Sequence, residues 1–104
     1  MTEQEWLAQS DDEKNKWIVE NIFGAEYFEE ELFQGTLKPD FLSWQGFGLI
    51  VEKFDYYQLN VLSIDKFCFI ADDNRGIDDW VGEAATPWEA AALAYGKMKG
   101  LIDG

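Results

Sequence analysis

Twenty-one of the 104 residues are Asp or Glu and none is His, so most of the ionisable side chains available for chemistry are carboxylates. They cluster as Asp11-Asp12-Glu13, as Glu26 with Glu29-Glu30-Glu31, and as Asp72-Asp73 and Asp78-Asp79. Clustered carboxylates have three common uses: paired acid and base in glycoside hydrolysis, oxygen ligation of a hard cation, and presentation of negative charge to a basic partner.

The first two uses find little support in the spacing. Almost any two of these acids could be nominated as a catalytic pair, so no pair is singled out. The run Asp72-x-Asn74-x-Gly76 with Asp78 and Asp79 approximates a calcium loop, but the glycine falls one position early and no glutamate closes the loop at the required distance, which leaves an ordinary turn. Absence of histidine removes the commonest general base and metal ligand. One cysteine, Cys68, supports neither a thiolate zinc site nor an internal disulfide, and its setting, Phe67-Cys68-Phe69-Ile70, is that of a buried thiol. No GxxxxGK[ST] or GxGxxG phosphate loop is present. The expectation is a protein that is not an enzyme and uses no cofactor or metal.

The third use fits the charge balance. Eight Lys and Arg against the 21 acids leave a formal net charge of −13, which repels nucleic-acid phosphates and anionic membrane surfaces and attracts basic proteins. The expected partner is a basic protein, with no direct contact to nucleic acid or membrane. Glu26, Glu29, Glu30, Glu31, Asp72, Asp73, Asp78 and Asp79 are the candidate contact residues, standing in for backbone phosphates in the groove of a nucleic-acid-binding protein. The competing use of the same charge is solubility, with every cluster a solvated surface. A second candidate surface is aromatic: Trp17, Trp44, Trp80, Trp88, Tyr56 and Tyr57 include residue types that anchor interfaces, homo-oligomeric ones among them, although such residues are more often core.

These groups need a scaffold, and the composition supplies one. Hydrophobic residues make up 47% of the chain and aromatics 16%, enough for one core at this length. A single α+β domain is expected. No apolar run is long enough to cross a bilayer, and the first residues lack the basic start and apolar stretch of a secretory signal, so a cytoplasmic location is expected.

Thr2 with Glu5 and Ser10 with Glu13 are capping-box pairs, which predict an N-terminal helical segment over 3–23 in one or two pieces, stopped at Gly24. From Ala25 to Asp40 no period holds, and an irregular acidic connector is expected. Trp44, Phe47, Ile50, Val51 and Phe54 recur at helical spacing, but Gly46 and Gly48 oppose a helix by roughly 1 kcal/mol each. Tyr57 to Ser63 and Phe67 to Ala71 read as a β-hairpin, and Asp79 to Ala84 as a third strand after a turn at Asp72–Gly76. Thr86, Pro87 and Glu89 open a last helix with an apolar face of Trp88, Ala91, Ala92, Tyr95 and Met98, ending at Gly100.

Three segments together carry a family resemblance: Pro39-Asp40-Phe41-Leu42-Ser43-Trp44 running into Ile50-Val51-Glu52-Lys53-Phe54, the two strands, and Gly82-Glu83-Ala84-Ala85-Thr86-Pro87-Trp88-Glu89-Ala90-Ala91. This part of the chain, roughly its last two thirds, resembles the phage ABA-sandwich domain family, small proteins of phages and prophages. The resemblance implies a helix–sheet–helix unit over about 40–102, a three-stranded antiparallel sheet sandwiched between helices in α-β-α layers, with Trp44 to Phe54 as helix. It implies a phage setting and no catalytic or binding residues.

Overall fold

The computed structural model describes residues 1–24, 41–72 and 79–103. The acidic connector expected at Ala25–Asp40 and most of the turn expected at Asp72–Gly76 lie outside the described residues.

Both N-terminal caps form. Thr2 Oγ1 accepts from the Glu5 N–H (3.1 Å) while the Glu5 carboxylate accepts from the Thr2 N–H (2.9 Å), opening α1 (Glu3–Leu7). Ser10 and Glu13 repeat the arrangement at the start of α2 (Asp11–Ile18), where Ser10 Oγ accepts from the Glu13 N–H at 3.2 Å. Two hydroxyl caps eight residues apart make two helices rather than one, because each cap requires extended backbone at its own residue.

The helical segment expected to reach Phe23 changes pitch after Ile18. Val19–Phe23 forms one π turn, closed by the Gly24 N–H on the Val19 carbonyl (2.8 Å). The Asn21 side-chain amide donates to the Trp17 carbonyl (2.9 Å), which the widened turn has left available. Ile18, Val19, Ile22 and Phe23 are all buried, and Gly24 at φ 56° stops the segment as expected.

Trp44–Val51 is helical, α3, with Ser43 Oγ accepting from the Gly46 N–H (3.1 Å). Its two glycines differ in kind. A Cβ on Gly46 would fall on the backbone of Phe41, which folds back beneath the first turn, whereas a Cβ on Gly48 would meet nothing within 4 Å. Gly46 is therefore a contact requirement, and only Gly48 carries the bare propensity cost.

The three strands β1 (Tyr56–Ser63), β2 (Lys66–Asp72) and β3 (Asp79–Ala84) form an antiparallel sheet in the order β1-β2-β3. Pairs such as Leu59↔Phe69 and Phe69↔Gly82 fix the register. Alternation along each strand then puts Tyr57, Leu59, Val61, Phe67, Phe69, Ala71, Trp80, Gly82 and Ala84 on one face. Phe69 centres that face, fully buried and ringed by Phe47, Phe54 and Tyr57 at centroid distances of 6.1, 5.0 and 5.3 Å.

The last helix, α4 (Pro87–Met98), lies against this face over β2 and β3. Its expected amphipathic stripe is too narrow: Pro87 and every residue from Ala90 to Gly96 are buried. The sheet covers one side, α3 packs on another, and the N-terminal helices close the rest through Lys14–Glu89 and Lys97–Glu3 ion pairs, both 3.0 Å, and through Trp17 beside Gly96. The result is the expected α+β class with its three-stranded antiparallel sheet, and α4 is the middle layer between sheet and N-terminal helices.

Thr86 caps α4, its hydroxyl accepting from the Glu89 N–H (3.3 Å) and donating to the Glu89 carboxylate (2.8 Å). Thr86→Ala is expected to lower the unfolding free energy by about 1–2 kcal/mol, the upper part of the range for such caps because every layer rests on this helix. Urea denaturation of the variant beside the parent chain measures it.

Candidate functional site

The face of the sheet turned away from α4 carries Tyr56, Gln58 and Asn60 of β1, Cys68, Ile70 and Asp72 of β2, and Asp79, Val81 and Glu83 of β3, by the same register. All described helices pack on the opposite, Phe69 side or beyond it. Tyr56 (57% exposed) and Val81 (37%) open to solvent here.

Two of the eight acids nominated from sequence come together on this face. Asp72 and Asp79 are register partners across β2 and β3, and Tyr56 is the partner of Asp72 on the other side. The row Tyr56, Asp72, Asp79 thus crosses the whole sheet at one end. With Tyr57, Gln58 and Ile70 it lines a cleft of about 280 Å³. Like charges directly opposite on a sheet oppose pairing of the strands; Asp72 is also engaged within the chain, and Asp79 is the exposed member of the pair. Glu26, Glu29, Glu30, Glu31, Asp73 and Asp78 lie outside the described residues.

Four of the described lysines are paired with acids other than Asp72 and Asp79. Lys14 pairs with Glu89, Lys97 with Glu3, Lys16 with Glu20 (3.9 Å) and Lys66 with Glu83 (3.7 Å). Lys14–Glu89 is largely buried between helices, Lys97–Glu3 is partly exposed, and the others are exposed pairs of small energetic weight. Glu52, Asp55, Asp65 and Asp79 are exposed acids that form none of these bridges.

Among the described residues no group of three or more His, Cys, Asp or Glu is placed to hold a metal ion, and no helix is long and apolar enough to cross a membrane. Burial pushes the Cys68 thiol above its ordinary value, with the charge of Glu83 adding to the rise, so the thiolate that reacts is disfavoured.

The aromatics nominated from sequence divide. Trp44 (63% exposed), Tyr56 and Tyr57 face solvent, while Trp17, Trp80 and Trp88 are half-buried. Trp44 meets Trp88 edge-on at 5.6 Å and Phe47 at 5.8 Å, a small aromatic outcrop where α3 and α4 begin. Sequence reasoning passed over Val61, Leu62 and Ile64, which are 67%, 52% and 96% exposed. The signal for Val61 and Leu62 was present: the strand that contains them has no charge with which to face water, and Ile64 follows it in the turn. No family model, no curated protein and no solved structure matches this chain.

Proposed function

We propose that this is a small acidic interaction protein that engages a basic protein partner through its carboxylates, and that it acts as a phage- or prophage-type inhibitor of a host nucleic-acid-binding or defence protein by mimicking DNA charge. The observation that carries the reading is the opposed pair Asp72 and Asp79 beside Tyr56 at an open end of the sheet. It sets two carboxylates next to each other beside an exposed tyrosine, where a basic partner could contact them. The net charge of −13 supports the same reading. The phage setting rests on the resemblance of the segments around Phe41–Trp44 and Thr86–Ala91 to the ABA-sandwich family, and the cytoplasm of the host cell is where such an inhibitor would work.

The reading is tested by charge. Asp72→Asn with Asp79→Lys, and separately Glu29, Glu30 and Glu31 each changed to Lys, are expected to weaken partner binding at least tenfold at low salt in variants whose circular-dichroism spectrum is unchanged. Unchanged affinity in both sets would remove the carboxylates from the interface.

A second reading has its own observation. Trp44, exposed and supported by Trp88 and Phe47, is an aromatic anchor of the type found at protein contacts, which suits a phage accessory or assembly protein with incidental acidity. Trp44→Ala separates the two: it leaves charge-driven binding intact and abolishes binding through the outcrop.

A further inference from the structure

The two edges of the sheet are treated differently. At the β3 edge the Lys97 ammonium donates to the Val81 carbonyl (2.6 Å) and is itself held by Glu3, while Asp79 and Glu83 place charge along the strand. Charged side chains laid on an edge are the usual protection against pairing with another chain. Among the described residues, β1, the other edge, has none of this. Tyr56-Tyr57-Gln58-Leu59-Asn60-Val61-Leu62-Ser63 contains no charged residue and no proline, in a protein where 28% of residues are charged. Five of the nine large hydrophobics exposed among the described residues, Tyr56, Tyr57, Val61, Leu62 and Ile64, belong to this strand and its turn, so the exposed apolar surface of the described residues is concentrated at this edge.

We propose that β1 is a self-association edge, pairing antiparallel with β1 of a second copy to make a continuous six-stranded sheet about a twofold axis at Leu59. The only irregularity in the β1–β2 register falls between Val61 and Ser63, so Tyr56–Val61 is the regular stretch, and an axis at Leu59 keeps the pairing of residues 57–61 inside it. Pairing about Leu59 sets Tyr57 against Val61 of the second copy, Gln58 against Asn60, and Leu59 against itself. This register keeps the faces matched, because residues an even number apart share a face. The Phe69 side of one copy then continues into the Phe69 side of the other, with Tyr57, stacked on Phe69, meeting a β-branched Val61 that is otherwise 67% exposed.

A second copy fits better than an unrelated strand for two reasons. The strand is self-complementary about its midpoint, amide opposite amide and aromatic opposite aliphatic. Its flanks are also complementary in charge: antiparallel pairing brings the Asp65-Lys66 turn of one copy toward the Glu52-Lys53 turn of the other, each holding one acid and one base. Two chains of −13 repel, and β1 offers an eight-residue stretch with no charge of its own. A consequence follows for salt. Screening weakens the repulsion between copies, so the dimer tightens as ionic strength rises from about 0.05 M to about 0.5 M. Binding of a basic partner responds in the opposite sense, so the two proposals fail separately.

Sedimentation or light scattering on the full chain across protein concentration and salt provides the test. The expected result is a species of twice the 12.0 kDa chain mass, favoured by salt, that returns to the single mass in Val61→Lys and in Leu62→Lys with an unchanged circular-dichroism spectrum. A chain that stays at the single mass at all concentrations and salts overturns the proposal, as does a dimer that persists in the folded lysine variants. Should either lysine variant fail to fold, Leu59→Cys in a Cys68→Ser background decides. Oxidation crosslinks it into a dimer if Leu59 meets itself across the axis, and leaves it a monomer if the register or the interface is wrong.

Discussion

Gly82→Ala is expected to destabilise the protein by about 3 kcal/mol, and to lower its melting temperature by more than about 10 °C. Gly82 is the point at which β3 and α4 come closest. A Cβ there would fall on the Ala90 carbonyl oxygen, with the Ala94 nitrogen at 2.9 Å and the Leu93 Cβ at 3.0 Å. Two of these are backbone atoms of a helix that is buried on all sides, so neither can yield without moving α4 off the sheet. Gly48→Ala is the control, since nothing lies within 4 Å of its Cβ and the residue sits inside α3. That change should stabilise by about 0.5–1 kcal/mol through helix propensity alone. Opposite signs from the same chemical change, measured by denaturant unfolding, would establish the close approach; a neutral Gly82→Ala would contradict it.

The second large effect concerns the ion pair that ties the N-terminal helices to α4. Lys14 and Glu89 meet at 3.0 Å with side chains 9% and 14% exposed, and the Lys14 ammonium also lies 5.5 Å from the ring of buried Trp6. Lys14→Met leaves the Glu89 carboxylate in a largely dry setting, with the Thr86 hydroxyl donating to it at 2.8 Å. The expected cost is about 3 kcal/mol, most of it from the stranded charge. Glu89→Gln strands the ammonium instead and costs a similar amount. The double variant, Lys14→Met with Glu89→Gln, should recover most of the loss, because desolvation of both charges is then avoided. Additive losses in the double variant would mean that each residue acts alone.

Much of this architecture was legible because it is encoded locally. A hydroxyl followed three residues later by glutamate needs no distant partner to make a cap, and all three such pairs cap helices at the expected residues. The alternation of β1 and the apolar run of β2 are likewise read along one strand at a time. What escaped was set by distant contacts. The helical spacing over Trp44–Phe54 was blurred by Gly46, whose reason for being glycine is the backbone of Phe41 folded beneath it. The face predicted for α4 was too narrow because burial of Ala90, Leu93, Ala94 and Gly96 depends on three other elements. The π turn at Val19–Phe23 has the residue pattern of an ordinary helix.

The candidate site was legible to the same degree. Acid clusters at Asp72 and Asp79 stand out in the sequence, but their direct opposition is a fact of register, decided by the pairing of β2 with β3. The exposure of Val61 and Leu62 is also topological. An alternating strand looks the same whether it lies at the centre or the edge of a sheet, and only the order β1-β2-β3 makes this one an edge.

The central functional claim, that carboxylates recruit a basic partner in place of DNA, is tested most directly by capture from host lysate on the tagged protein, washed at low and high salt and challenged with duplex DNA. The account predicts a discrete basic nucleic-acid-binding protein that is retained at low salt, released at high salt and displaced by the DNA. A partner that withstands high salt and ignores DNA, or no partner at all, would contradict it.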